Sequence, residues 1–262
     1  MPRANRYFLP GFLWHITHRC HKKEFLLKFA RDRECWLGWL FEAKRRYGLC
    51  VLNYVVTSNH IHLLVKDTNQ HVIAKSLQLI AGRTAQEYNL RNQRKGAFWE
   101  DRYHATAIES DEHFLRCLVY IDMNMVRAGV VKHPAEWVHG GYREIQQPPK
   151  RYRIIDIPAL MDLGGFNDIA TMQQQLRQWL IEELTINNSV RDKTWSESLA
   201  VGSEDFVEKV QTLLNAKATN REVTEMAGKH ALREQSARYN GDFGAKNTGL
   251  RLKTVIFGMV YK

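Results

Sequence analysis

The chain has 262 residues, 44% of them hydrophobic and 25% charged, enough for one large domain, or a domain with an appendage, around an ordinary apolar core. No apolar run is long enough to span a membrane, and the start, Met1-Pro2-Arg3-Ala4-Asn5-Arg6, is basic and polar where a signal peptide would be apolar; a cytoplasmic, nucleoid-associated protein is expected. The net charge of +10 is lopsided: residues 1–150 hold 23 Lys and Arg against 14 Asp and Glu, and residues 151–262 hold 15 against 14, which points to a polyanion, nucleic acid first, as partner of the N-terminal half.

In chain order, a basic arm with Arg3 and Arg6 leads to an alternating stretch from Pro10 to Arg19, a first strand. From Phe29 to Tyr47, Trp36, Leu37, Leu40, Phe41 and Lys44 recur at helical spacing and Gly48 ends the helix. Cys50–Val56 and His60–Lys66 predict a hairpin about Thr57-Ser58-Asn59. Val72–Asn89 predicts a second amphipathic helix, with Ile73, Leu77, Ile80, Thr84 and Tyr88 on one stripe. A basic loop with Arg91, Arg94 and Lys95 follows, then a fourth strand from Phe98 to Ile108 through Trp99 and Arg102. The order β-α-β-β-α-β predicts an α+β chain with a ferredoxin-like sheet, one face covered by helices and the other free for a site.

Ser110 is the expected N-cap of a helix that runs to about Ala128, with Gly129 as its C-cap. Gln146-Gln147-Pro148-Pro149-Lys150 is the best linker, so the expected domains are 1–147 and a mostly α-helical extension, 148–262. Within that extension Gln173–Leu184 and the stretch from Gly202 to Leu214 predict helices, and Asn220–Lys229 with its sequel a small helix-turn-helix-like piece ending in the basic Arg251-Leu252-Lys253. The cysteines, Cys20, Cys35, Cys50 and Cys117, have no C-x-x-C pairing and are expected to be reduced, mostly buried thiols.

The centre of the chain is the hairpin. On a strand His60 and His62 point the same way while Ile61 and Leu63 point into a core. Two imidazoles one pleat apart can share a divalent ion. Such a pair is more often two ordinary histidines; its company decides. Tyr120 and Asn124, four apart on the later helix, share a face and offer a nucleophile and a third ligand.

These pieces resemble the REP-associated tyrosine transposases, single-tyrosine HUH enzymes of the insertion-sequence transposase superfamily. The carrying residues are Met1-Pro2-Arg3, Pro10-Gly11, Ser58-Asn59-His60-Ile61-His62-Leu63-Leu64-Val65, Asp101-Arg102-Tyr103 and the run from Tyr120 to Gly129, Tyr-Ile-Asp-Met-Asn-Met-Val-Arg-Ala-Gly. They span about residues 1–145. The chain departs at Met125, where family members commonly carry Pro and where the helix is therefore expected to run on unkinked, and at Gly140-Gly141-Tyr142, where Ser-Ser-Tyr is common.

The resemblance implies a metal-dependent single-stranded DNA endonuclease and strand transferase acting at repeated palindromic hairpins. Tyr120 would be the nucleophile, forming a 5′-phosphotyrosine, and His60, His62 and Asn124 would hold Mg2+ or Mn2+. Candidate phosphate contacts are Arg3, Arg6, Arg83, Arg91, Arg94, Lys95, Arg102 and Arg127, with Tyr7, Trp99 and Tyr103 as platforms for unpaired bases. A monomer is expected, with a dimer as the alternative. The rival reading is a non-catalytic regulator that binds structured DNA or RNA through the same basic face. The enzyme reading requires the Tyr120 phenol to meet the two imidazoles.

Overall fold

The structure is a computed structural model and describes residues 11–110, 112–186, 192–214, 221–226 and 229–234. Arg3, Arg6 and Tyr7 lie outside these residues, as does part of the segment expected to be helix-turn-helix-like.

Strands β1 (Leu13–Arg19), β2 (Cys50–Val56), β3 (His60–Lys66) and β4 (His104–Ile108) alternate with helices α1 (Ala30–Tyr47) and α2 (Val72–Arg91) in the expected β-α-β-β-α-β order. The fourth strand is shorter than expected. Residues 96–103 turn back against the end of β1, where Trp99 makes one isolated bridge to Cys20 and the Glu100 amide donates to the Arg19 carbonyl. Helix α1 stops at Gly48, whose φ of 69° lies in the left-handed region and whose amide donates to the Lys44 carbonyl, a conformation glycine adopts without a Cβ penalty.

The chain beyond residue 124 adds short helices α4 (Asn124–Arg127) and α5 (Tyr142–Gln146), then α6 (Ile157–Leu163), α7 (Ile169–Ile186), α8 (Thr194–Glu197) and α9 (Glu204–Leu214). It also adds strands β5 (Ala200–Gly202), β6 (Arg221–Met226) and β7 (Lys229–Glu234). All seven strands form one sheet in the order β2-β3-β1-β4-β5-β7-β6. Strand β5 lies parallel to β4, pairing Ala107 with Ala200 and Ile108 with Val201, and β6 and β7 form an antiparallel hairpin beyond it. The piece expected to be helix-turn-helix-like from Asn220 onward is thus a hairpin in its described part, residues 221–226 and 229–234. Its Glu, Lys, Ala and Leu favour helix, but an open strand edge overrides so weak a preference.

Both faces of the central sheet are covered, in contrast to the one open face expected. Helices α1 and α2 pack together on one side, while α3 (Glu112–Asp122), α6 and α8 pack against the strands on the other. A single cluster of buried side chains runs from Leu13 through Leu63, Phe114 and Leu118 to Val201 and Leu232. Cys20, Cys50 and Cys117 are buried and Cys35 half-buried, all as free thiols. Burial pushes the Cys20 and Cys35 thiols up to about 12, so they are poor nucleophiles.

The outer edge of β2 is closed by the segments after α4. Gly141 donates its amide to the Tyr54 carbonyl, Val56 donates to His139, and Asp156 donates to Val51. This is how the sheet avoids an unpaired edge. A Cβ on Gly141 would sit 2.2 Å from Asn53 Oδ1 and 2.9 Å from Ile155 Cδ1, which accounts for glycine at a position expected to be Ser in similar chains. Gly141→Ala should lower stability by about 1–3 kcal/mol through overpacking, read as a fall in the urea midpoint; an unchanged midpoint would contradict this packing.

Beneath it, the Asn53 amide donates to the Asp122 carboxylate at 2.9 Å and to the Leu118 carbonyl at 3.2 Å. Burial pushes the Asp122 carboxyl up to about 7, the Asn53 bond opposing it. A carboxyl that holds its proton longer folded than unfolded makes stability fall as pH rises from about 4 to about 7. Asp122→Asn should flatten that fall, measured by urea unfolding below and above neutrality; a slope as steep as the wild type's would refute it.

Candidate active site

The register of β3 on β1 decides which side chains meet. Thr17 pairs with His62 and His15 with Leu64, so His15 and His62 are diagonal neighbours on the face covered by α3 and α8. Their ring planes lie within 10° of each other, with centroids 5.0 Å apart, the arrangement of two rings joined edge to edge by a hydrogen bond. His15 is fully buried and His62 only 1% exposed. His60, at the strand entrance, is half-buried, with its ring 5.1 Å from that of His62.

Hydrogen bonds set which nitrogens an ion could use. His60 Nδ1 meets Asn59 Oδ1 at 2.7 Å and Thr57 Oγ1 at 3.0 Å. His62 Nδ1 meets His15 Nε2 at 2.8 Å. Both Nδ1 atoms are engaged, so an ion would bind at the two Nε2 atoms. His62 Nε2 already lies 3.0 Å from the Asn124 amide nitrogen, and a half-turn of that amide exchanges nitrogen for oxygen in the same place. Among the described residues no three His, Cys, Asp or Glu side chains form a metal cluster. An ion here would have to be held by two imidazoles and one amide oxygen, a borderline donor set with room for water and phosphate oxygens. The residues fit such an ion.

Tyr120 comes to the same place from α3. Its ring stands edge-on to His15 and His62, 5.9 Å from each, and Trp195 of α8 lies 6.1 Å away. The Arg127 guanidinium sits 4.3 Å over the phenol ring and donates to the Tyr120 carbonyl. The helix is divided at Met123 into α3 and α4 even without proline, contrary to the unbroken helix expected to Ala128, although the Met123 amide still donates to the Val119 carbonyl and its carbonyl accepts from the Arg127 amide. Tyr120 is 6% exposed, and its hydroxyl is buried without a hydrogen-bond partner among the described residues. A cavity of about 650 Å³ lies alongside, with Tyr120, Arg127, Trp179, Trp195 and Lys229 in its walls.

The remaining sequence-predicted contacts divide. Arg102 is exposed on the segment that folds over the end of β1, whose Cys20 amide donates to the Asn59 carbonyl before His60, and Lys95 is exposed in the loop just before that segment. Arg94 is spent on its own loop, donating to Asn89 Oδ1 and the Ala97 carbonyl. Arg91 pairs with buried Asp32, and Arg83 lies over the Trp39 ring at 4.7 Å; both belong to the α1–α2 layer. Trp99 stacks on His18 at 4.0 Å and donates to the Ala81 carbonyl. His15 and Trp195 were missed. His15 reads in sequence as an inward strand residue, and nothing in the chain near Trp195 signals that it returns 180 residues later to the same place.

If Trp195 covers the phenol, Trp195→Ala should raise nitration of Tyr120 by tetranitromethane several-fold relative to exposed Tyr152, mapped by peptide mass spectrometry. An unchanged ratio in folded protein would show that the tryptophan does not shield it.

Residues 11–124 match the family described as "Transposase IS200 like". No curated protein matches the chain. Among solved structures the chain is similar to a REP-associated tyrosine transposase bound to a REP hairpin, at 19% identity and a TM-score of 0.48, over 60% of this chain and 93% of that one. It is also similar to a candidate transposase from Deinococcus radiodurans, at 17% identity and a TM-score of 0.32, over 50% of this chain and 92% of that one.

Proposed function

We propose, from the match of residues 11–124 to the family described as "Transposase IS200 like" and from the geometry of the site, that the chain cuts and rejoins single-stranded DNA at the foot of a palindromic hairpin, with Tyr120 as nucleophile. The observation that carries the proposal is the meeting of the Tyr120 ring with His62, and through it with His60 and Asn124. These residues come from β3, α3 and α4, and the fold brings them to one place.

In the proposed reaction the phenolic oxygen attacks phosphorus and gives up its proton to solvent. The bond from phosphorus to the 3′ oxygen breaks, the departing 3′ oxygen takes a proton, and the 5′ phosphate stays on Tyr120. The phosphotyrosine keeps the energy of the broken bond, so a second strand's 3′ hydroxyl can reverse the step without a nucleotide triphosphate. A phenol is a weak nucleophile near neutrality. An Mg2+ or Mn2+ ion held by His60, His62 and Asn124 would supply Lewis-acid polarisation of the phosphate.

The chain's own residues position the strand. Arg127, already on the Tyr120 ring, is placed to meet the phosphate. Lys95 and Arg102 offer exposed charge at the same end of the sheet as His60. The cavity beside Tyr120 falls within the size range of small-ligand sites; Glu112, Glu182, Glu183 and Asp192 in its walls disfavour a phosphate there, and its tryptophans suit an unpaired base. The buried hydroxyl requires the Trp195 ring to turn aside before attack, its backbone carbonyl staying on His15. The same burial favours a second reading, a structured-DNA binder that no longer cleaves.

A labelled hairpin with a single-stranded flank, incubated with the full chain and Mn2+ on denaturing gels, separates the two. Cleavage by the wild type, lost in Tyr120→Phe, in His60→Ala and in chelator while hairpin binding by Tyr120→Phe persists, is the expected result. Cleavage that survives Tyr120→Phe would remove the tyrosine from its role, and binding without cleavage in any condition would leave the binder.

A further inference from the structure

We propose that His15 is a positioning residue which, anchored to the backbone carbonyl of Trp195, holds the His62 imidazole in the tautomer whose Nε2 carries a lone pair. The use of that lone pair to bind an ion rests on the function proposed above; the control of the tautomer does not.

The geometry runs in one direction. His15 Nδ1 lies 2.6 Å from the Trp195 carbonyl oxygen. A carbonyl oxygen only accepts, so Nδ1 must carry the hydrogen. In the neutral ring His15 Nε2 is then an acceptor, and the atom it faces at 2.8 Å, His62 Nδ1, must donate. With its hydrogen at Nδ1, the neutral His62 ring presents a lone pair at Nε2, where the Asn124 amide stands at 3.0 Å. One backbone carbonyl thereby decides the proton positions on two buried rings.

An ion requires the same arrangement from the other end. A ligating imidazole donates its second nitrogen's hydrogen to a fixed acceptor, which sets both tautomer and ring orientation. The acceptor here is a second imidazole, itself oriented by main chain. Burial of both rings keeps water from offering His62 Nδ1 an alternative partner.

The anchor is built by the region beyond the transposase match. Trp195 lies under the Lys229 ammonium, 4.4 Å from it, and Lys229 pairs with Asp192 at 2.6 Å. Arg233 donates to Thr194 Oγ1 and Ser198 Oγ, each at 3.1 Å. Strand β7 thus grips residues 192–198 from both ends. Residues 192–198 and strand β7 thereby acquire a task within the site: they hold one carbonyl in place behind His15.

Two-bond 1H–15N correlation spectra of histidine-labelled full-length protein read the tautomers directly. The wild type should show His62 with its hydrogen on Nδ1. His15→Phe, which keeps a flat ring and removes the acceptor, should move His62 to the other tautomer or to a mixture. His15→Gln, whose amide can both accept and donate, should restore the Nδ1 form. A His62 signal that stays in the Nδ1 form in His15→Phe would overturn the proposal, and so would a wild type in the Nε2 form.

Mn2+ titration followed by electron paramagnetic resonance supplies the second reading. Loss of a hydrogen bond behind a ligand weakens binding by roughly 10–100-fold, so His15→Phe should lose that much and His15→Gln recover most of it. Wild-type protein that binds no Mn2+ would count against the ion at His60 and His62 and leave the tautomer result to decide the role of His15.

Discussion

The pairing of β1 with β3 is the constraint on which the rest depends. A shift of one residue in that ladder would turn every side chain of β3 to the opposite face, taking His60 and His62 from α3 and placing Ile61 and Leu63 against Tyr120. The register is held by burial on both sides. Ile16, Ile61 and Leu63 are packed away from water with Val65, and the strand ends are tied at Cys20 to Asn59 and at Asp67 to Phe12. A hydrophobic ladder of this kind holds polar rings in the interior because each ring is given a hydrogen-bond partner as it is buried.

The site stands where two parts of the chain close on each other. Residues 11–124, which match the transposase family model, supply His60, His62, Tyr120 and Asn124; the later part supplies the Trp195 ring beside Tyr120 and the carbonyl behind His15. The phenol is enclosed by aromatic rings and a guanidinium. Leaving a hydroxyl buried and unpartnered costs about 1–3 kcal/mol, a cost that is recovered when the hydroxyl meets a polar group.

The hairpin, its two histidines and the tyrosine four residues before an asparagine were legible because each depends on short spacing: alternation on a strand, one turn of a helix. The same local rules placed α1, α2, α7 and α9. They failed where distant pairing decides the outcome. Ala200-Val201-Gly202 is too short to announce a strand, yet it extends the sheet because β4 presents an open edge. Residues 221–226 and 229–234 carry helix-favouring side chains but pair as strands on that new edge. Phe98–Tyr103 alternates like a strand, but Trp99 is turned aside to stack on His18. The expectation of a helix unbroken past Tyr120 missed the change at Met123, whose ψ of -3° departs from the regular helix.

The central claim is that Tyr120 becomes covalently joined to DNA beside the His60–His62 pair. Peptide mapping by mass spectrometry after incubating the full chain with a single-stranded hairpin substrate and Mn2+ tests it directly. The account predicts a nucleotide linked through its 5′ phosphate to Tyr120 and to no other residue. Cleaved DNA with an unmodified Tyr120, or an adduct on another side chain, would contradict it.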